Sequence, residues 1–351
     1  VRCPRYSIGA VSATKDATPI ILPRFSGRGR PSAEARAQYE RDLAAFCKAI
    51  LQIKSTLDFD VSSRGWCYIL EEKAGLPKGD FDKAQAIIND ARKSGLLPID
   101  ICAEDESRQS TACEDIDDET PNEFAEGWVN YLQSAHKNYT PTSFWENQPN
   151  YAEMLVEKID LKTLFRPVCD EYRVRIANTK GWLDINQRAR IMGRFREWED
   201  KGKQCVLLYC GDHDPAGLSI SDKLMSLFEE MQRGGGWDPA GLEIERFGLN
   251  ADFINANRLT WIEGLRTSSG EDLADPRHSD HNKPYVQDYI RRFGARKVEA
   301  NALVVRPGQG RQLCGRAILR YVDPDRAREY FEQLEEQRDA ARNALARRVR
   351  P

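Results

Sequence analysis

LLYCGDHDPAGLSIS, residues 207–221, places two aspartates, a histidine, a proline and two glycines in seven positions directly after four apolar residues. Such a run of apolar residues broken by Gly211 reads as a buried strand entering a tight turn, and the residues after Pro215 read as the start of a helix. Asp212 and Asp214 are two apart, so in an extended stretch both carboxylates project to one side and can share a hard cation. Gly211 and Gly217 let backbone approach closely, and Pro215 stiffens the exit into the helix. His213 fills the position between the carboxylates.

Outward from this turn, apolar runs alternate with helical patterns. AEMLVEK ends a strand near Glu157. LKTLFRPVCDEY predicts a helix, VRIANTKG a strand, NQRARIMGRFREWEDKG a helix, QCVLLYCGDHD a strand, SISDKLMSLFEEMQRGG a helix and LEIERFGL a strand. This alternation predicts a mixed α/β fold with a mostly parallel sheet covered by helices. In open α/β sheets chemistry collects outside the carboxyl ends of the strands. Glu157, Asp212 and Asp214 all fall at such ends, so three carboxylates from distant positions can converge. Oxygen ligands without nitrogen or sulfur suit Mg²⁺, with Mn²⁺ as a substitute.

Upstream, AQYERDLAAFCKAILQIK (37–54) repeats apolar residues at helical spacing. VSSRGWCYILEEKAG predicts a short helix capped by Ser62 or Ser63. KGDFDKAQAIINDARKSGLL predicts another over 81–94, with Asp80 able to cap it and Gly95 ending it. GLLPIDICAED then reads as a short strand pair. Three helices followed by such a wing predict a winged helix-turn-helix whose third helix would meet DNA.

Taken together, the VEK strand end, NTKGW and YCGDHDPAG resemble the TOPRIM domain of the topoisomerase VI A subunit and its relatives, among them the meiotic break-forming transesterases. The resemblance implies that Glu157, Asp212 and Asp214 hold a catalytic magnesium, and KVEANAL (297–303) resembles the segment near the end of that domain. In that family a winged-helix domain precedes TOPRIM and carries a tyrosine in a pattern such as RDIYY or RDIFY. Here Arg64-Gly65-Trp66-Cys67-Tyr68 stands in its place, departing from the pattern in the middle. By resemblance Tyr68 is the nucleophile, Arg64 the accompanying arginine, and Glu157 a ligand or a proton acceptor during resealing. The alternative is that Trp66 and Tyr68 are core residues of their helix. Lys158 reads as a charge for phosphate or as a surface lysine.

The resemblance further implies double-stranded DNA as partner, and a homodimer in which the tyrosine of one protomer meets the metal site of the other. A separate ATPase subunit is implied for strand passage; no GxxxxGK[ST] stretch is present in this chain. Stand-alone A-subunit-like proteins carried by mobile elements have the nearest architecture. The alternatives are a TOPRIM nuclease that cuts with metal-activated water, and a DNA-binding module without catalysis.

The rest of the sequence sets bounds. Its 351 residues suffice for two domains, and 40% hydrophobic with 30% charged residues is a globular composition. No apolar run reaches the roughly 20 residues of a membrane span. Nine cysteines without a CxxC pair fit a reducing cytoplasm, and a DNA partner would place the protein at the nucleoid. A net charge of −3 decides nothing about nucleic acid, because local patches matter more than totals. The expected organisation is a basic arm (1–36), the winged helix (37–105), an acidic linker with a short helix (106–148), the TOPRIM-like domain (149–322) and a C-terminal helix (323–351). On that last helix Ala327, Phe331, Leu334, Ala341 and Leu345 share a face, as a coiled coil or as packing on its own domain. The HSDH stretch offers His278 and His281 to a metal, but its surroundings read as a long polar loop.

Overall fold

The computed structural model describes residues 20–24, 32–103, 119–179, 185–267 and 270–348. Most of the basic arm, residues 106–118 of the acidic linker and the Lys180-Gly181-Trp182 part of NTKGW lie outside the described residues.

The first helices among the described residues are α1 (Ala33–Lys54), α2 (Ser63–Ala74) and α3 (Phe81–Lys93). Ser62 caps α2 by accepting from the Gly65 amide, and Gly75 ends it in the left-handed conformation at φ 67°. Asp80 precedes α3 but does not cap it; its carboxylate accepts instead from Arg24 and, at 3.2 Å, from Lys83. The expected strand pair of a wing does not form: residues 95–103 make a turn and one 3-10 turn at Ile99–Ile101. The segment is instead tied to the helices, the Trp66 indole donating at 2.8 Å to the Ile101 carbonyl. The three-helix arrangement is therefore present without the wing.

Next come α4 (Pro121–Ser134), β1 (Asn150–Val156), α5 (Ile159–Glu171), β2 (Arg175–Asn178), α6 (Ile185–Asp200) and β3 (Gln204–Cys210). They are followed by α7 (Pro215–Glu229), the single turn α8 (Gln232–Gly235), β4 (Glu243–Gly248) and α9 (Ala251–Ala256). The chain continues through β5 (Ile262–Glu263), α10 (Pro284–Phe293), β6 (Arg296–Lys297), α11 (Pro307–Leu319) and α12 (Pro324–Arg348). The fold is mixed α/β, as the alternation predicts. Four parallel strands form one sheet in the order β2-β1-β3-β4, and β5 pairs antiparallel with β6.

Burial follows strand position. Nearly every residue of β1 and β3 is buried, as expected for central strands covered on both faces, whereas β2 and the first half of β4 are half-buried or exposed edges. Buried Glu153 on β1 is held by both Nε and Nη2 of Arg194, at 2.5 and 2.6 Å. From β1 the sheet grows to β2, and from β3 it grows the other way to β4. The order reverses between β1 and β3, and a reversal of this kind opens a crevice at the carboxyl ends.

The described residues divide into two compact units, one drawn from 20–103 and 152–318 and the other from 119–151 and 319–348. The first holds the three helices and the sheet. In the second, α12 packs on α4 and the turn after it; its buried residues are Ala327, Tyr330 and Leu334, and Tyr330 meets Phe144 edge-on at 5.3 Å. Phe331 is half-buried there, and its neighbour Tyr330 goes deeper. No helix among the described residues is long and apolar enough to cross a membrane.

Candidate active site

The turn after β3 is built by backbone contacts that only its sequence permits. The sheet ladder runs on past the strands: the Glu157 amide donates to the Cys210 carbonyl at 3.0 Å, and Gly211 exchanges bonds with Gly248 and Leu249. A Cβ on Gly211 would lie 2.6 Å from the Tyr209 hydroxyl and 2.8 Å from Glu157 Oε2, so glycine lets the glutamate close in. A Cβ on Gly217 would lie 2.2 Å from the Asp212 carbonyl oxygen. Asp214 is the N-cap of α7, its Oδ1 accepting from the Gly217 amide at 2.6 Å, and Pro215 takes the first helical position.

Arg246 on β4 staples the turn from below. Its guanidinium donates to the carbonyls of Gly211 at 3.1 Å, Asp212 at 2.6 Å and Gly217 at 2.9 Å. His213 turns the other way, into a cage of Trp261, Tyr289 and Phe293, with Nδ1 3.0 Å from the Leu249 carbonyl. Burial in this cage drives the imidazole down to about 4 and keeps it neutral. His213 is thus a core residue.

Glu157 and Asp212 meet in the crevice between β1 and β3. Glu157 Oε2 accepts from the Asp212 amide at 2.8 Å. The Lys158 ammonium lies between the two side chains, 3.0 Å from Glu157 Oε1 and 3.0 Å from Asp212 Oδ2. It is therefore not an idle surface lysine. Asp212 Oδ1 accepts from the Ala300 amide at 2.7 Å. Burial, with repulsion from Glu157 and Glu299 added, pushes the Asp212 carboxyl up to about 6 against the pull of Lys158 and the Ala300 amide. Asp214 is raised too, by burial and by Asp212.

Carboxylates forced together against burial are the donor set a hard divalent cation relieves, so these residues fit Mg²⁺ in type and charge. Among the described residues, no group of three or more His, Cys, Asp or Glu side chains is gathered closely enough to hold a metal. Glu157 and Asp212 are instead bridged by an ammonium, and Asp214 is turned to its helix cap.

Tyr68 is supplied by α2 of the same unit. Its ring packs edge-on against Phe81 at 5.1 Å and is 2% exposed, and its hydroxyl donates to Glu299 Oε2. Glu299 Oε1 faces two cations, Lys297 Nζ at 3.4 Å and Arg64 Nη2 at 4.0 Å. Arg64 also lies over the Phe81 ring at 5.0 Å and reaches Asp82 at 3.5 Å. Burial first, then the charge and hydrogen bond of Glu299, hold the phenol far above its ordinary pKa. Burial would raise Glu299, but Tyr68, Lys297, Arg64 and Lys158 together hold it below the usual carboxylate range.

The structure thus brings Glu157 to Asp212 and Tyr68 to Glu299 within one chain. The carboxylate at the tyrosine is Glu299, while both Glu157 oxygens face Lys158 and the Asp212 amide. The chain matches no known family model, and no curated protein matches its sequence. His278 and His281 do not converge on one site: His278 faces Glu271 at 3.4 Å and His281 the Leu273 carbonyl at 2.9 Å.

Sequence reasoning passed over Glu299 and Arg246. Each carried a signal, a lone glutamate in KVEANAL and a lone arginine near the apolar end of LEIERFGL, but neither reveals its partner without the fold.

Proposed function

We propose that this chain is a Mg²⁺-dependent DNA-cleaving transesterase of the topoisomerase VI A-subunit type, breaking duplex DNA through a phosphotyrosyl intermediate. The observation that supports this reading most is the meeting of Tyr68 with a carboxylate whose next residue, Ala300, is bonded to Asp212. A tyrosine, an arginine and a carboxylate-lined crevice are what attack on a backbone phosphate requires. Free tyrosine ionises at about 10 and is a weak nucleophile at neutral pH, so positive charge and a proton acceptor beside it are needed.

In this reading Arg64 orients the phosphate through its planar fork. Tyr68 Oη bonds to phosphorus as one deoxyribose oxygen leaves, and the link keeps the energy needed to reseal the strand. Mg²⁺ held by Glu157, Asp212 and Asp214 would supply neutralising charge to the phosphate oxygens. Lys158, held by two of those carboxylates, is the cation that keeps them together before the substrate arrives. Two copies of the chain follow from cutting two strands with one tyrosine each, every tyrosine acting beside the carboxylate turn of its own chain, where the resemblance implies its partner's; strand passage would draw on a separate ATPase subunit, and nucleoid DNA in the cytoplasm is the matching location.

One observation favours a second reading, a nuclease using metal-activated water: Tyr68 is almost wholly buried. The two separate in one experiment. The protein is incubated with supercoiled plasmid and Mg²⁺, quenched with detergent and split with and without protease, beside Tyr68→Phe and Asp212→Asn. Breaks that carry protein until digestion, and vanish in both variants, support the transesterase. Protein-free breaks that persist in Tyr68→Phe support the nuclease and end the first reading.

A further inference from the structure

We infer that Glu299 is the proton acceptor for Tyr68 and fixes the direction of its hydroxyl; the inference rests on the transesterase reading above. Its position is set by its neighbours. Val298 exchanges two backbone bonds with His213, at 2.8 and 3.1 Å, and the Ala300 amide is bonded to Asp212. Val298 and Ala300 are both buried, and Glu299 between them carries its side chain to Tyr68. The residue is pinned on both sides to the turn that carries Asp212 and Asp214.

The carboxylate divides its work by atom. Oε1 faces Lys297 and Arg64, and Oε2 takes the Tyr68 hydroxyl. Two cations keep a mostly buried carboxylate ionised, and only the ionised form can accept a proton. Phe81 holds the ring edge-on, so the hydroxyl is already directed at its acceptor. The charged and titratable groups around Glu299 are Tyr68 and Arg64 on α2, Lys297 on β6, Lys158 after β1 and Asp212 after β3.

The step balances without a co-reactant. The Tyr68 O–H bond breaks and its proton passes to Glu299 Oε2, while the Tyr68 Oη–phosphorus bond forms. The phosphorus–oxygen bond to one deoxyribose breaks, and Glu299 returns the same proton to the departing oxygen, giving a hydroxyl and restoring the carboxylate. Resealing runs these transfers in reverse.

The test uses the full chain as wild type, Glu299→Gln, Glu299→Asp and Tyr68→Phe, with plasmid and Mg²⁺. The rate of detergent-trapped covalent complex is followed from about pH 6 to about pH 9, below the ordinary phenol pKa. Glu299→Gln is expected to slow the rate about 100-fold near pH 7, with the deficit shrinking as pH rises and hydroxide takes over the proton. Glu299→Asp is expected to recover part of the rate, and plasmid binding is expected to stay within about twofold, since a structural defect would weaken binding as well. A Glu299→Gln rate within about threefold of wild type, with the same pH profile, overturns the inference and leaves the transesterase reading standing. Wild-type breaks without a Tyr68-dependent complex overturn both. A DNA-free measurement guards against misfolding: the ring-carbon NMR signal of Tyr68, assigned with Tyr68→Phe, is expected to move in Glu299→Gln while the other tyrosine signals hold. An unmoved signal overturns the pairing itself.

Discussion

Two stretches meet at the carboxyl end of the sheet, and they are made in opposite ways. The turn from Gly211 to Gly217 is shaped largely within seven residues: Gly217 makes room for the Asp212 carbonyl and Asp214 caps the next helix, while Arg246 from β4 ties the carbonyls. The stretch from Lys297 to Ala300 has little internal design. Glu299 acquires its partner from a residue 231 positions away. A local motif of this kind is rigid because each atom is already in contact, whereas a long-range pair depends on two elements being docked. The first should fail on the addition of a methyl group, and the second should lose a hydroxyl with little effect on folding.

Gly217→Ala tests the first half most severely. Its Cβ meets backbone at 2.2 Å and no flexible side chain can give way, so a stability loss of about 3 kcal/mol is expected in denaturant unfolding, at the upper end for overpacking. A loss comparable to an ordinary surface change would show the turn to be adaptable.

Next in size is the pH dependence from His213 in the same turn. Its folded pKa of about 4 lies below the unfolded value, so the unfolded chain binds the proton more readily. The contribution is whole above about pH 6.5 and is lost as pH falls toward about 4, amounting to about 3 kcal/mol. Unfolding curves of wild type and His213→Asn across that window should differ in slope, with the variant flatter. Equal slopes would remove the cage as the cause.

Ser62→Ala probes the docking on which the second stretch relies. Ser62 caps α2 and also donates its hydroxyl at 2.6 Å to the buried Asp160 on α5. Losing a cap and a bond to a buried carboxylate is expected to cost about 1.5 kcal/mol and to loosen Tyr68, nearly two turns further along α2. Fluorescence or NMR of the tyrosine would register that loosening. Smallest is Tyr68→Phe, for which about 1 kcal/mol is expected because Glu299 keeps Lys297 and Arg64 as partners. A much larger loss would make the variant unfit as a chemical control.

The parallel sheet and the carboxylate turn were legible because both are written in short range. Alternating apolar runs marked β1 and β3, and Gly-Asp-His-Asp-Pro marked the only way out of β3. The wing was misread because GLLPIDIC has strand-like residues, yet the bond from Trp66 to the Ile101 carbonyl is a tertiary contact. Asp80 was misread as a cap for a similar reason, since Arg24 and Lys83 claim its carboxylate. Lys158 and Glu299 were visible as residues but not as partners. Their roles follow from the reversal of strand order between β1 and β3 and from the bridge between His213 and Val298, neither of which has a signature in sequence spacing.

The central claim is that Tyr68 becomes covalently joined to DNA. The most direct measurement is to trap the protein on DNA with detergent, digest the DNA with nuclease and the protein with trypsin, and examine by mass spectrometry the peptide Gly65 to Lys73, which contains Tyr68 alone among the tyrosines. The account predicts that peptide carrying a deoxynucleotide phosphate on Tyr68. An unmodified peptide from samples in which the plasmid has been cut, or a nucleotide on any other residue, would contradict it.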